Sequence, residues 1–412
     1  MAERLMKAEM GGVPLKEGAP VRVVLVYPNQ YAVGMASLGF QTVYRLLNQH
    51  PDVRCERAFL YDDPFHRDPR SLETGTRLNA FHAVGFSLSY ELDEPHVLSL
   101  LHNARIPLAA RERSDTDPLV LLGGTVAGLN PSPLLSFMDG LLSGEGEGVL
   151  YSMADILVKG VTRDWSREKR LSALSRLEGV YIPDGGGSIA RAKTRELKAN
   201  PAYTPIVTPN SHFGSMFVVE VSRGCPQTCY FCAGQKISRP YRFIPSVVIL
   251  ETVRRYNPGA SVVGLEGAGL SDYPELESLS RKLTDANYRL SLSSLRPDRL
   301  RGELLEILDR SGVRSVTMAP EAGSVSLRES IGKPVSQTAI WTAVRHLALS
   351  GIKMLKLYFL IGLPGETDED VKQIVEMVTE MAGRLTEKDR SKRIRVSVNA
   401  FIPKPFTEFQ WA

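Results

Sequence analysis

Three cysteines fall within eight residues, in Arg223-Gly224-Cys225-Pro-Gln-Thr-Cys229-Tyr-Phe231-Cys232-Ala-Gly. Thiolates at spacings of four and three can hold three corners of a four-iron cubane, which leaves one iron without a protein ligand. An iron with an open position does chemistry, whereas a fully ligated cluster usually only carries electrons. Other readings rest on the same residues. A structural zinc site takes four ligands, normally in two paired clusters. Here the fourth cysteine, Cys55, lies far upstream, and the nearest histidine, His212, precedes the loop without zinc-ligand spacing. A ferredoxin run would be more closely spaced, with a further cysteine and a proline. Three unligated thiols are the remaining alternative.

A loop of this kind needs a frame. From Met216 onward, β-rich runs at 217–221, 261–265, 288–293, 315–318, 354–361 and 395–401 alternate with helical patterns at 246–256, 275–286, 302–311, 337–349 and 368–382. Alternation of this type argues parallel strands with crossover helices. Six strands imply a partial (β/α)6 barrel over 215–412. Its chemistry would sit at the C-terminal ends of the strands, and the cysteine loop follows the first of them. Residues 1–160 form a second α/β unit, with strands expected at 21–27, 57–60, 83–89, 119–122 and 140–142 and helices at 38–47 and 94–104. Five strands with crossovers describe a Rossmann-like or flavodoxin-like domain. Between the two, residues 161–214 read as a basic linker with room for one hairpin. Charge is dense there, a Gly-rich turn spans 183–188, and three prolines follow at Pro201, Pro205 and Pro209.

The 412 residues are 43% hydrophobic and 23% charged, enough apolar side chain for real cores. No apolar run is long enough to span a bilayer. The N-terminus lacks a secretory apolar core, so a cytoplasmic location is expected. Four cysteines, three of them clustered, exclude a disulfide framework. The formal net charge is +4, and residues 159–198 carry ten basic side chains against five acidic ones. A second basic run covers 384–395, and the excess over 159–198 is the only support for a rival reading as a non-enzymatic RNA- or ribosome-associated iron–sulfur protein.

The cysteine spacing, with Phe231 before the last cysteine, resembles the radical S-adenosylmethionine (SAM) superfamily. Further motifs are similar to its subset with an N-terminal cobalamin-binding-like domain: Arg239-Pro240, Ser293-Ser-Leu-Arg296-Pro-Asp298, Ala319-Pro-Glu321-Ala-Gly323, Ile331-Gly-Lys333, Ile361-Gly-Leu-Pro-Gly-Glu366 and Phe401-Ile-Pro403-Lys-Pro405. More narrowly, Tyr27-Pro-Asn29-Gln-Tyr31-Ala-Val-Gly34 resembles an uncharacterised subfamily.

The resemblance implies a radical SAM enzyme that cleaves SAM reductively at a [4Fe-4S] cluster on Cys225, Cys229 and Cys232 to give a 5′-deoxyadenosyl radical, with a flavodoxin- or ferredoxin-type reductant. Glu266-Gly267-Ala268-Gly269 would approach the SAM amino group. Ser293, Ser294 and Arg296 would bind ribose or carboxylate, although Arg296 has Asp298 beside it as a rival partner. Glu321 would accept from ribose or amino protons, and Ile361, Gly362 and Leu363 would pack on adenine.

Cobalamin, as cofactor of a methyltransferase or a rearrangement enzyme, would lie near Gly34, Ser87, Gly123, Gly124, Gly144, Glu145 and Gly146; the alternative is a cofactor-free domain. No histidine stands where histidine-ligated cobalamin domains place one, so a cobalamin here would be held without it. Cys55 reads as a small buried hydrophobe. A lone cysteine in this half excludes the second cluster of methylthiotransferases. The resemblance leaves the substrate open, with RNA or protein among the classes. It also implies a chain that stops short of its relatives and a separate C-terminal partner protein.

Overall fold

The computed structural model describes residues 2–60, 68–183, 188–333 and 335–412. The core of the expected 183–188 turn, residues 184–187, and His66 lie outside them. The chain divides into two compact units. One comprises Met1–Phe217 with Tyr256–Ala260, the other Val218–Arg255 and Ser261–Ala412.

The first unit is built on β1 (Val21–Tyr27), β2 (Val53–Phe59), β3 (Ala83–Ser87), β4 (Leu119–Gly123), β5 (Gly140–Leu142) and β6 (Val180–Tyr181), in the order β2-β1-β3-β4-β5-β6. The first five run parallel and β6 closes the edge antiparallel. This is the flavodoxin-like order, with its switch point between β1 and β3. Helices α1 (Leu38–Gln49), α2 (Glu94–Asn103), α3 (Leu150–Thr162) and α4 (Arg167–Leu174) accompany the sheet. Side chains of β1 alternate between two cores, as strand geometry requires. Val23 and Leu25 share one with Phe40, Leu47, Met153 and Leu157, from α1 and α3. Val24 and Val26 share the other with Phe86, Val97 and Leu101, from β3 and α2. Coverage on both faces explains why these strands read as continuous apolar runs.

Strand β2 is different. Its sequence, Val-Arg-Cys-Glu-Arg-Ala-Phe, carries three charges, yet Glu56 and Arg57 are buried. Arg57 donates to both oxygens of Glu9, at 2.8 and 2.9 Å, and to Glu73 at 2.6 Å. Glu56 accepts from Arg54 and Thr74. Glu9, Glu73 and Thr74 are remote in sequence, so only the end of the strand was expected. Cys55 is fully buried, as expected, and burial pushes its thiol up.

The expected linker also differs. Residues 161–214 lie within the first unit, and Leu174, Ala192 and Ile206 belong to its core. Its cations explain why. Arg167 donates to the Ser114, Asp117 and Pro118 carbonyls and pairs with buried Asp139. Arg170 donates to the Asp115 carbonyl and Arg191 to that of Gly128. These side chains bind the segment to the sheet, which takes three of the ten cations away from any RNA-facing surface.

The second unit runs β7 (Met216–Glu220), α5 (Ser246–Tyr256), β8 (Val262–Glu266), α6 (Leu276–Asp285), β9 (Arg289–Leu292), α7 (Gly302–Arg310), β10 (Ser315–Glu321), α8 (Gln337–Leu349), β11 (Met354–Ile361), α9 (Asp368–Lys388) and β12 (Arg393–Ala400). β7, β8 and β9 form one sheet and β10, β11 and β12 another. A parallel bridge from Leu295, just past β9, to Met318 of β10 connects them in chain order. The result is the six-stranded partial barrel.

Buried Lys392 ties its far side together. Its ammonium donates to the Leu347, Ser350 and Ile352 carbonyls at 2.6–2.8 Å, satisfying the end of α8 where carbonyls lack helical partners. Replacing it by methionine removes that donor from the Ser350 and Ile352 carbonyls, while Leu347 keeps the Ser350 amide and hydroxyl. K392M should lower the unfolding free energy by about 2 kcal/mol, read as a reduced urea midpoint with unchanged helix content.

Candidate functional site

The cysteine loop leaves β7 and is pinched at its base by a two-residue antiparallel pair, Ser222–Arg223 with Arg242–Phe243. Arg223 grips Glu220 through two hydrogen bonds of 2.8 and 2.6 Å. Within the loop, the Cys232 amide donates to the Cys229 carbonyl. All three thiols are half-buried. Burial raises Cys225 and pushes Cys229 up to about 11. Neighbouring thiols raise Cys225 and Cys229 further, while Lys333 pulls Cys229 down and Arg296 pulls Cys225 down. Two cations therefore stand beside sulfurs that must be anionic to bind metal.

Three thiolates on one loop suit a cubane, with one iron to each. Among the described residues no three His, Cys, Asp or Glu side chains are arranged to hold one metal ion. Zinc draws its ligands onto one centre, whereas in a cubane each thiolate takes a different iron. Gln235, three residues past Cys232, is 2% exposed, and neither amide atom has a partner. Such a buried amide is available to a group bound at the loop. Nothing in the sequence singled it out, because a lone glutamine after a cysteine has no readable signature.

A second clamp comes from the turn after β10. The Tyr230 amide donates to the Ile331 carbonyl at 3.0 Å. Gly332 lies so close that a β-carbon would stand 2.8 Å from the Thr228 carbonyl oxygen and the Tyr230 ring. Phe231 packs against the apolar cluster of Ala322, Leu327, Ile331 and Leu363. Next in sequence, the Lys333 ammonium pairs with Glu321 at 2.6 Å. Glu321 has φ of +69°, a region costly for a non-glycine residue, at an irregularity in the β10–β11 register. Arg328, fully buried, holds this turn in shape through the Ala322, Gly323 and Val335 carbonyls and Gln337.

The loop after β8 lies against the same hairpin. A β-carbon on Gly267 would meet Ser222 Oγ at 2.4 Å, and one on Gly269 would meet the Tyr241 ring at 2.9 Å. Ala268 is exposed and Gly267 and Gly269 are buried. Glu266 is exposed at the end of β8. Burial and then Glu220 push its carboxyl up to about 7. Ser293 and Ser294, past β9, are exposed, and Ser293 donates to the Gly267 carbonyl.

Arg296 is engaged by both Asp298 oxygens and by Asp272 at 2.7–3.0 Å, the rival expected from its sequence neighbour. Gln227 of the cysteine loop donates to the same Asp272. Arg296 thus braces the loop in this structure. Ile361 is partly exposed, Gly362 donates its amide to Glu366, and Leu363 is buried with Phe231's neighbours.

In the first unit, several expected cofactor residues have packing duties. A β-carbon on Gly34 would strike the Phe59 ring, one on Gly124 the Leu88 carbonyl, and one on Gly144 the Ala192 carbonyl. Glu145 accepts from the Thr194 amide, and Gly146 lies against Leu150. Ser87 and Gly123 end β3 and β4. At the switch point, Asn29 donates to Asp93 at 2.8 Å, while Tyr90 and Leu92 are 52% and 70% exposed.

Comparison with known proteins adds to this geometry. Residues 39–183 match a family described as radical SAM proteins, N-terminal, and residues 219–378 match the radical SAM superfamily. An uncharacterised protein of Methanocaldococcus jannaschii is 28% identical over 393 residues, 94% of this chain and 79% of that one. An anaerobic magnesium-protoporphyrin IX monomethyl ester cyclase of Cereibacter sphaeroides is 24% identical over 260 residues, 58% of this chain and 40% of the cyclase.

Among solved structures, the radical SAM methyltransferase TsrM of Kitasatospora setae, with cobalamin and a [4Fe-4S] cluster bound, has a TM-score of 0.64 at 15% identity, covering 94% of this chain and 74% of TsrM. The cobalamin-dependent SAM radical enzyme OxsB has 0.57 at 14%, covering 92% and 53%. Their fold, a domain of this N-terminal type followed by a radical SAM domain, is that of the present chain. No helix of the described residues is long and apolar enough to cross a membrane. With its three-cysteine loop at the mouth of a six-stranded partial barrel and both halves matched, the chain is an enzyme that belongs to the radical SAM superfamily.

Proposed function

We propose that this enzyme cleaves SAM reductively at a [4Fe-4S] cluster held by Cys225, Cys229 and Cys232. The observation that carries this reading is the loop itself: three half-buried thiols at the end of the first barrel strand, gripped by the turns after β8 and β10. A cluster held there by Cys225, Cys229 and Cys232 would supply one-electron reduction of the SAM sulfonium, with the electron from a flavodoxin- or ferredoxin-type donor and the carbon–sulfur bond cleaved to methionine and a 5′-deoxyadenosyl radical.

The chain's own residues bind and orient. Gly267 and Gly269 bring backbone against the base of the cysteine loop, at Ser222, Gly224 and Pro226, and exposed Ser293 and Ser294 offer hydroxyls to the ribose. Glu321, held by Lys333, accepts from the ligand's hydroxyl or amino protons. Ile361 and Leu363 supply an apolar wall for adenine and keep water from it. Glu266, with its carboxyl near 7, can hold or release a proton at neutral pH.

The second part of the reading is cobalamin in the first unit, serving radical methylation or rearrangement. It is supported by the fold shared with TsrM and OxsB, whose structures contain cobalamin, and by the β1/β3 switch point. Exposed Tyr90 and Leu92 flank that crevice and offer apolar surface to a large ring. Ser87, Gly123 and Gly124 would line its floor, without a histidine ligand. A cytoplasmic setting with a separate partner protein fits the same reading.

Anaerobic reconstitution with iron and sulfide, followed by dithionite and SAM, should yield 5′-deoxyadenosine by chromatography; a loaded cluster with no such product sinks the proposal. C229A should lose both the cluster's visible absorption and SAM cleavage, and an unchanged iron content would contradict the ligand assignment. Protein produced with hydroxocobalamin should copurify with corrin absorbance at about one equivalent. Its absence, with SAM cleavage intact, would leave hydrogen abstraction without cobalamin as the chemistry.

A further inference from the structure

The inner face of the second sheet carries two cations that nothing in the site above uses. In β11, Leu355, Leu357 and Phe359 are buried, at 3%, 0% and 0% exposure. The opposite face therefore presents Lys356, Tyr358 and Leu360. This face is the one turned toward the cysteine loop, because Leu360 packs on the same apolar cluster as Phe231. The parallel register fixes what stands beside each residue. Lys356 pairs with Thr317 of β10 on one side and Arg395 of β12 on the other, Tyr358 pairs with Ser397, and Leu360 with Asn399.

Lys356 and Arg395 are thus direct neighbours, on strands about 4.8 Å apart. Like charges placed side by side across a sheet are destabilising. Among the described residues, neither has an ion-pair partner. Tyr358 is 38% exposed, Arg395 and Asn399 are exposed and Lys356 is half-buried. The arrangement is a pair of unneutralised cations with hydroxyl and amide donors one and two rows nearer the cysteine loop.

We propose that Lys356 and Arg395 bind an oxyanion on the substrate, a carboxylate or a phosphate, and hold the substrate by that group below the SAM site. This rests on the proposed function and names a substrate class for it. A guanidinium beside an ammonium suits an anion with two or more oxygens, since Arg binds in a planar fork and Lys as a point charge. Thr317, Tyr358, Ser397 and Asn399 then supply neutral donors. Holding the anion at this row leaves the rest of the substrate pointing along the strands, toward the reacting end of the barrel.

The test is calorimetric titration of the reconstituted protein at low ionic strength with inorganic phosphate in one arm and succinate in the other. Saturable binding of at least one anion is expected, and the preferred arm identifies the group. K356M and R395M should each weaken it tenfold or more, while K356R should retain it and report that the fold survives. K372M, which removes a surface charge on α9, should bind as wild type. The proposal is overturned if wild type binds neither anion, if K356M and R395M bind as tightly as wild type, or if K372M loses as much. 5′-Deoxyadenosine formation by the wild-type protein is measured separately. Anion binding without SAM cleavage would therefore defeat the functional reading alone, and cleavage without anion binding would defeat this inference alone.

Discussion

The site depends on a buried positive charge that is held by hydrogen bonds to uncharged groups. Arg328 is fully enclosed, and its hydrogen bonds go to three backbone carbonyls and one side-chain amide oxygen, none of which carries a formal charge. Removing a guanidinium from water costs several kcal/mol before any contact is made. Burial accordingly pulls its ionisation downward. What the group accomplishes is geometric. It gathers Ala322, Gly323, Val335 and Gln337 around one centre, so the turn between them has a single shape. That turn carries Ile331, whose carbonyl takes the Tyr230 amide, and Lys333, which reaches Glu321. A flexible turn would leave the cysteine loop with one side unsupported, and three sulfurs must each meet a different corner of one cluster.

Much of the frame was legible because its physics is local. Strands β1, β5 and β11 and helices α5 and α8 have the boundaries expected from their periodicity. Apolar runs and caps are written in neighbouring residues, such as Ser336 accepting from the Ala339 amide at the start of α8. The first half of β2 was not legible, because Arg54, Glu56 and Arg57 look like surface until Glu9, Thr74 and Glu73 neutralise or bond them. Similarly, Arg167, Arg170 and Arg191 made a dense basic stretch look like a linker. Their actual partners are carbonyls more than forty residues away and the buried carboxylate of Asp139, itself well upstream. Charge reads as exposure in a sequence unless the partner is visible too.

The candidate site divides along the same line. The cysteine trio and the glycines after β8 could be singled out because spacing and residue type mark them, and the structure sets both against the same hairpin. Arg296 was found, yet the structure gives it to Asp272 and Asp298, so a side chain that looked like a ligand group acts as a brace. Gln235 and Arg328 escaped notice since each matters through what surrounds it. In the first unit, Gly34, Gly124 and Gly144, expected beside a cofactor, also make room for Phe59, Leu88 and Ala192. Small residues at strand ends serve close packing as readily as ligand binding.

The first unit is made of two stretches of chain, because Tyr256–Ala260 belong to it while the residues on both sides belong to the second. Tyr256 stacks on Tyr203 at 4.6 Å, and Tyr203 in turn receives the Arg45 guanidinium. The polypeptide therefore passes from one unit to the other three times. No single peptide-bond cleavage can release either unit whole, and a ribosome must finish the first crossover helix of the barrel before the N-terminal half has all of its parts. The two halves are consequently a poor subject for independent inheritance: exchanging one for a foreign domain would require two coordinated splices, the second inside the barrel itself.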